Sequence, residues 1–313
     1  MKKKSFGYAR VGLLGNPSDH YGGKCISFTF DKKAEVTVQD NPKLIIENGR
    51  KRDFDLNYNG SNDLIKAVIK NLGLENEKFK IEYNSEIPFG SGLAGSSAIA
   101  VAAIRALKEY FGLDISEFEI AERSRNVETE ELGIDIGFQD GYSVAFGGIL
   151  YMDFKNKELP LENNYGVVKR IPARSIPIFL CLSGESKKSS GIIHGSVRER
   201  FLRGGKKERA EIKKYMSDIA GLAEQGFEAI KEKNWEELGR LMNENRIIRN
   251  KIYPASRKDN EIAESAIKNG ALGVKLTGSG GASAILADEK NLKGVFEKMK
   301  KQYSCFMAEI SNP

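Results

Sequence analysis

From position 88 the chain reads Pro-Phe-Gly-Ser-Gly-Leu-Ala-Gly-Ser-Ser-Ala, setting glycines and hydroxyl residues at the mouth of an apolar, helix-forming run. Such a stretch can hold phosphate. Backbone N–H groups free of side-chain bulk, together with the positive end of the helix dipole, converge on anionic oxygens. Pro88, Gly90, Gly92, Leu93, Ala94, Gly95, Ser96 and Ser97 are therefore candidate phosphate-binding residues. The two serine hydroxyls can add a hydrogen bond and a hard ligand for magnesium. No lysine follows the last glycine, so this is not a Walker A loop. Two more glycine-rich stretches stand near the chain ends: ARVGLLGNPSDHYGGK at 9–24 and KLTGSGGASAIL at 275–286. A single glycine turn is ordinary loop chemistry.

The elements that would position these stretches can be read from periodicity. Alternating Val, Ile, Phe and Thr predict strands at 6–15, 24–30, 35–39 and 43–47. Leu64, Ala67, Val68 and Leu72 make one helical face behind a Ser61 cap, and 78–83 returns to a strand. The glycine loop then feeds helices at 96–111 and from 116 to about 131. A short helix over 140–146 ends at Gly147 and Gly148, with a strand following at 149–154. Pro160, Pro172 and Pro177 cluster before the strand 176–182, which we take to open a second domain. Helices at 208–231 and 235–250, strands at 273–277 and 282–287, a helix at 291–302 and a strand at 305–310 complete the chain. The pattern is that of two mixed α+β domains.

Composition removes several classes of function. The longest apolar runs fall far short of the roughly 20 residues a membrane span needs, and the basic start Met1 to Lys4 has no apolar signal core behind it. A cytoplasmic protein is expected. The net charge of +6, from 49 basic and 43 acidic residues, is spread over helices where the signs alternate. That is a solvated surface rather than a nucleic-acid footprint. Cys25, Cys181 and Cys305 sit far apart in strand-like contexts and read as reduced core thiols. His20 and His194 have no Cys or His neighbour at a metal-ligand spacing, so any metal must be held by oxygen.

The three glycine-rich segments, first, middle and last in the chain, together resemble the three signature segments of the GHMP kinases. The resemblance implies a two-domain fold: a ribosomal-S5-like ATP-binding domain at 1–173 and a ferredoxin-like domain at 174–313. It implies an ATP- and magnesium-dependent kinase acting on an alcohol. The run GIDIGFQDGYSVAFGGILYMDF at 133–154 is similar to the sugar-kinase version of the family. GNPSDHYGG, GLAGSSA and SGIIHGSVRERFL resemble the plant members that phosphorylate glucuronate at its anomeric hydroxyl, which also carry the extra loop residue Ala94.

From that resemblance Asp140 is the expected general base, with Arg10 beside it to hold the γ-phosphate. By itself an Asp at a helix start is often only an N-cap. Magnesium is expected on Ser97 and on a carboxylate from the crowded Glu128, Glu130 and Glu131, of which Glu128 aligns best. Gly278 and Gly280 would pack on the phosphate loop. Asp19, His20 and Tyr21, together with Asp140, would contact the sugar, and Arg198 is the candidate cation for a substrate carboxylate. Another sugar 1-kinase acting on a heptose phosphate or neutral hexose, a mevalonate-type kinase, and a sugar sensor without turnover are the alternatives. A monomer and a homodimer are both open.

Overall fold

The computed structural model describes residues 1–49, 51–158, 164–184 and 190–311, with backbone alone at 158 and 190–196. The chain opens with β1 (Lys2–Leu14), β2 (Lys24–Asp40), β3 (Ile45–Asn48), β4 (Lys51–Asp53), α1 (Asp63–Asn71) and β5 (Phe79–Ser85). It continues through α2 (Gly95–Phe111), α3 (Glu117–Asn126), α4 (Gln139–Phe146), β6 (Ile149–Asp153) and β7 (Val167–Arg170). These strands form one sheet in the order β4-β3-β5-β2-β6-β7, with β1 also paired to β2.

β2 is a single 17-residue strand, whereas two strands were expected from its sequence. Asp31, Lys32 and Lys33 read as a polar break. In the structure they mark the place where β2 changes partners, from β6 along residues 24–28 to β5 along residues 34–40, while β1 pairs with it along most of its length. Two register shifts in β1, at Tyr8/Ala9 and Gly12/Leu14, bracket Arg10. Irregularities of this kind re-aim a side chain out of the regular alternation.

The remaining elements are β8 (Ile178–Leu182), α5 (Ser190–Arg203), α6 (Lys206–Lys231), α7 (Trp235–Ile252), α8 (Arg257–Lys268), β9 (Gly273–Leu276), β10 (Ala282–Leu286), α9 (Leu292–Lys300) and β11 (Ser304–Met307). Their sheet runs β11-β8-β10-β9, antiparallel throughout. Strand, helices, two strands, helix, strand in that spatial order is the ferredoxin-like arrangement. α5, α8, β4 and β7 were not anticipated from periodicity. No helix among the described residues is long and apolar enough to cross a membrane.

Two readings are corrected. Cys181 and Cys305 form a disulfide, and only Cys25 is a free thiol. They lie 124 residues apart in sequence but face each other directly on β8 and β11, with Cα atoms 4.1 Å apart. The helix α1 is not capped by Ser61. Asn62 takes the cap position in a left-handed conformation, and the Asp63 carboxylate accepts the amides of Asn59 and Gly60 at 3.1 and 2.8 Å. Pro160 of the proline cluster lies outside the described residues.

The helix that follows the glycine loop is rich in alanine, and Ala98, Ala100, Ala102, Ala103 and Ala106 are all fully buried. Small side chains let α2 lie close on β1. Gly7 is where the two touch, since a Cβ there would overlap the carbonyl of Ala98. Gly7→Ala is expected to push α2 outward and to cost about 1–3 kcal/mol, the range for overpacking. In a chain of this size that lowers the melting temperature by roughly 1.5–5 °C. An unchanged calorimetric melting temperature would show that α2 can shift freely on β1.

Candidate active site

The loop before α2 turns through Gly90 and Gly92 in left-handed conformations and enters the helix at Ala94, which also has positive φ (58°). It is backed by the turn between β9 and β10. A Cβ on Gly92 would lie 2.7 Å from the Gly280 carbonyl, and one on Gly278 would lie 2.6 Å from the Gly92 carbonyl. The middle and last glycine segments are thus in backbone contact. Glycine is required there because nothing larger fits between them.

Arg10 joins all three segments. Its Nε donates to Asp140 Oδ1 at 2.7 Å and its Nη2 lies 2.6 Å from the same oxygen. Its Nη1 donates to the carbonyls of Gly92 at 2.9 Å and Thr277 at 2.7 Å. The side chain is almost wholly buried. Asp140 sits in the first turn of α4 but is not its N-cap, a position held by Phe138. Burial pushes the Asp140 carboxyl above its ordinary value, the Arg10 charge opposes the rise, and Asp19 adds to it. A raised carboxyl is a better proton acceptor than a free one once a hydroxyl is brought to it.

Glu128 lies in a π-helical turn, Val127–Glu131, that continues α3. Ser96 Oγ donates to its Oε2 at 2.8 Å and Ser97 Oγ to its Oε1 at 2.9 Å. Burial pushes the carboxyl up to about 7, against the two serine hydrogen bonds, and Asp140 raises it further. Of its neighbours, Glu130 is exposed and Glu131 accepts from Tyr58 at 3.1 Å. One carboxylate and two hydroxyls are a hard-oxygen set that suits magnesium, provided phosphate oxygens and water complete the shell. No group of three His, Cys, Asp or Glu able to hold a metal alone occurs among the described residues.

The third wall is the short turn Ser18–Tyr21. Asp19 is fully buried, with Oδ2 accepting the Gln139 amide at 3.1 Å. Burial raises its carboxyl, and the Gln139 amide and Arg10 oppose that rise. His20 borders the cavity and is pushed down to about 3, first by burial and then by the charges of Arg125 and Arg198, so its imidazole is neutral. Tyr21 is not brought to the cavity. It packs edge-on against Phe201 at 5.1 Å, beside the cluster of Val197, Ile212, Met216, Ile252 and Tyr253.

Arg198 is likewise placed elsewhere. It pairs with Asp135 at 3.1 Å in a separate cleft of about 420 Å³ that it shares with Arg125 and Arg203. In the 190–202 segment only the side chains from Val197 onward are described, so those of residues 190–196, His194 included, lie outside the described residues.

These walls enclose a cavity of about 640 Å³, large enough for a nucleotide or a sugar-sized ligand. Leu64, Tyr83, Ile87, Phe89, Ile99 and Leu132 supply apolar lining suited to a flat ring. Arg10, Asn16, His20, Gln139, Asp140 and Arg249 supply polar lining. Gln139 Oε1 is buried there without a hydrogen-bond partner. The apolar lining and Arg249 were missed from sequence. The first look like core residues, and Arg249 sits in a run, RIIRN, that reads as an ordinary helix surface.

Residues 62–148 match the description "GHMP kinases N terminal domain" and residues 227–305 match "GHMP kinases C terminal". The chain is 32% identical over 311 residues to probable glucuronokinase 2 of Arabidopsis thaliana, covering 90% of this chain and 83% of that one. It is 29% identical over 310 residues to glucuronokinase 1 of the same plant, covering 90% and 84%. A heptose 7-phosphate kinase, galactokinases and mevalonate kinases stand among further relatives. In structure it is similar to Lactococcus lactis galactokinase complexed with galactose, with a TM-score of 0.84 at 17% identity over 99% of this chain and 94% of that one.

The Glu128 carboxyl makes stability depend on pH with a definite sign. Between its ordinary value of 4.5 and about 7, the folded chain keeps a proton that the unfolded chain has released. Stability is therefore lost as pH rises through that window. Glu128→Gln removes the buried charge. In chelator, the variant should melt at least about 2 °C above the parent at pH 8 and gain less at pH 5. Equal differences at the two pH values would show that Glu128 does not hold a proton in the folded state.

Proposed function

The chain belongs to the GHMP kinase family and is a phosphotransferase with an alcohol group as acceptor, and we propose that it carries the terminal phosphoryl group of ATP to the anomeric hydroxyl of D-glucuronate. The observation that carries the transfer reading is the Arg10–Asp140 pair, held between two glycine segments at the wall of the cavity. The substrate reading is supported by the similarity to glucuronokinases over 90% of the chain.

In this reading Asp140 accepts the proton of the sugar hydroxyl as the phosphoryl group arrives. Arg10 fixes the carboxylate's orientation. Four of its five N–H groups are committed to Asp140, Gly92 and Thr277, and the fifth remains for a phosphoryl oxygen. The amides of the loop at 90–96 and the N-terminal end of α2 cradle the triphosphate. Ser97, Ser96 and Glu128 would hold magnesium, which neutralises charge on the phosphate oxygens when it is bound. Phosphoryl transfer needs positioning and charge neutralisation more than covalent chemistry.

On the acceptor side, Gln139 Oε1 and the neutral His20 can accept hydrogen bonds from ring hydroxyls. Asp19 is a positioning residue, acting through the Gln139 amide. We place the division between the nucleotide-binding and C-terminal domains at 173/174, in the stretch between β7 and β8. A sugar sensor would be expected to lack one of the transfer groups, and Arg10, Ser97 and Asp140 are all present.

Asp140→Asn keeps the side chain's shape and removes the proton acceptor. Turnover should fall about 10² to 10⁴-fold while calorimetry still detects ATP binding. Loss of ATP binding in the variant would make Asp140 a structural residue. The substrate is tested by ADP release from a panel of uronic acids, hexoses, heptose phosphates and mevalonate. Glucuronate should give the highest kcat/KM, with glucose poorer by at least about tenfold, since a pocket built for a carboxylate leaves its donors unpaired on a hydroxymethyl group. Better turnover of any other panel member would exclude the glucuronate assignment and leave the kinase assignment in place.

A further inference from the structure

An acidic acceptor needs a cation inside the cavity, and Arg198 lies outside it, paired with Asp135 in the neighbouring cleft. Arg249 lies inside. It occupies the last turn of α7 and lines the main cavity. One turn earlier on the same helix face, Asn245 accepts the Gly15 amide at 2.9 Å and donates to the Asn16 carbonyl at 3.4 Å. This face of α7 is therefore fastened to the segment that carries Asp19 and His20. Arg249 thus reaches the cavity from a helix fastened to that segment.

Its surroundings are unusual for a buried cation. Arg249 is 3% exposed, yet its hydrogen bonds are to neutral carbonyls, Nη1 to Tyr253 at 2.8 Å and Nη2 to Ser279 at 3.2 Å. Among the described residues no carboxylate lies within ion-pair distance of it, and three of its five N–H groups have no acceptor. Burial pulls its pKa down to about 10, and the more distant charges of Tyr253 and Asp259 offset only part of that fall. A guanidinium left so is unfavourable until an anion joins it. The triphosphate already has the loop amides, the α2 dipole, Arg10 and the Ser96, Ser97 and Glu128 set.

We propose that Arg249 is the specificity-determining residue for an acidic acceptor, pairing in a fork with the oxyanion at the end of the sugar remote from the hydroxyl that faces Asp140. The proposal rests on the acceptor being an anion, and the reading above names a carboxylate. A guanidinium fork also fits a phosphate group. Turnover by different acceptors separates these two sources.

The test is steady-state kcat/KM of the full chain and of Arg249→Met and Arg249→Lys. The acceptors are glucuronate, its uncharged amide, glucose and a heptose 7-phosphate, with KM for ATP measured alongside. The parent should prefer the acid to its amide. Arg249→Met, of similar length, should reduce that preference at least about 30-fold, the size of a lost charge-assisted pair. Arg249→Lys should retain part of it, as a point charge without the fork.

KM for ATP should move less than about threefold in both variants, because a charged acceptor group and the triphosphate are separate partners. An unchanged acid-to-amide ratio in folded Arg249→Met, or a loss expressed in KM for ATP, overturns the proposal. Should the methionine variant fail to fold, the lysine variant decides by the same ratio. A parent that prefers a sugar phosphate, and loses that preference in the variants, refutes the glucuronate reading and supports Arg249 as the anion reader. A parent that prefers glucuronate with an unmoved ratio does the reverse. Preference for a neutral sugar refutes both.

Discussion

Everything in the site depends on one buried guanidinium. Arg10 comes from the first strand, and its partners come from the loop before α2, from α4 and from the turn between β9 and β10. Those pieces belong to both sheets. A charge almost out of contact with water is costly unless acceptors surround it, and satisfying Arg10 brings the three glycine segments together. The β-bulges on either side of it turn the side chain toward that meeting point. Lys275 does the same work on a smaller scale. Buried in β9, it donates to the carbonyls of Gly12 and Leu276 and to the Asn16 side chain, tying the last segment to the first.

A second consequence is electrostatic. Asp19, Asp140 and Glu128 are close enough to raise one another: Asp19 acts on Asp140, and Asp140 on Glu128. Arg10 answers the first two, while Glu128 has only the two serine hydroxyls. Of the two of these carboxylates that border the cavity, Asp140 is therefore compensated by a cation and Glu128 is not. In the proposed reaction the compensated one is the base, and the uncompensated one is where a divalent cation would gain most. These two states follow from which neighbour each acid was given, since burial raises all three carboxyls.

The parts of this arrangement legible from sequence were those whose signal is local. A glycine loop at the mouth of an alanine-rich helix, the Gln139–Asp140 start of a short helix and the crowded glutamates after α3 all read correctly as elements, and the structure gathers Arg10, Ser96, Ser97, Glu128 and Asp140 around one cavity. What depends on long-range register was not legible. The Cys181–Cys305 bond needs the pairing of β8 with β11. The continuity of β2 needs two different partners on one edge. Tyr21 was assigned as the neighbour of His20 and Arg198 from the segment 190–202, but Tyr21 packs on Phe201 instead of the cavity, and Arg198 is drawn to Asp135 in the neighbouring cleft. Arg249 carries no local signal at all. Only the packing of α7 against the first glycine segment makes it part of the site.

The difference between residues tied to backbone and residues with free valences separates the reaction from its substrate. Arg10 spends its donors on carbonyls and on Asp140, and Asp19 spends its acceptor on the Gln139 amide. Replacing either disturbs the meeting of the glycine segments or the start of α4 as well as the chemistry, so the transfer machinery cannot drift without loss of fold. Gln139 Oε1 and the remaining N–H groups of Arg249 are different: they are held in place by their elements, and among the described residues they meet no partner. A change at those positions bears first on what the cavity can pair with. On the proposed reading, acceptor choice then falls to a few side chains whose donors and acceptors are not all taken up by the scaffold.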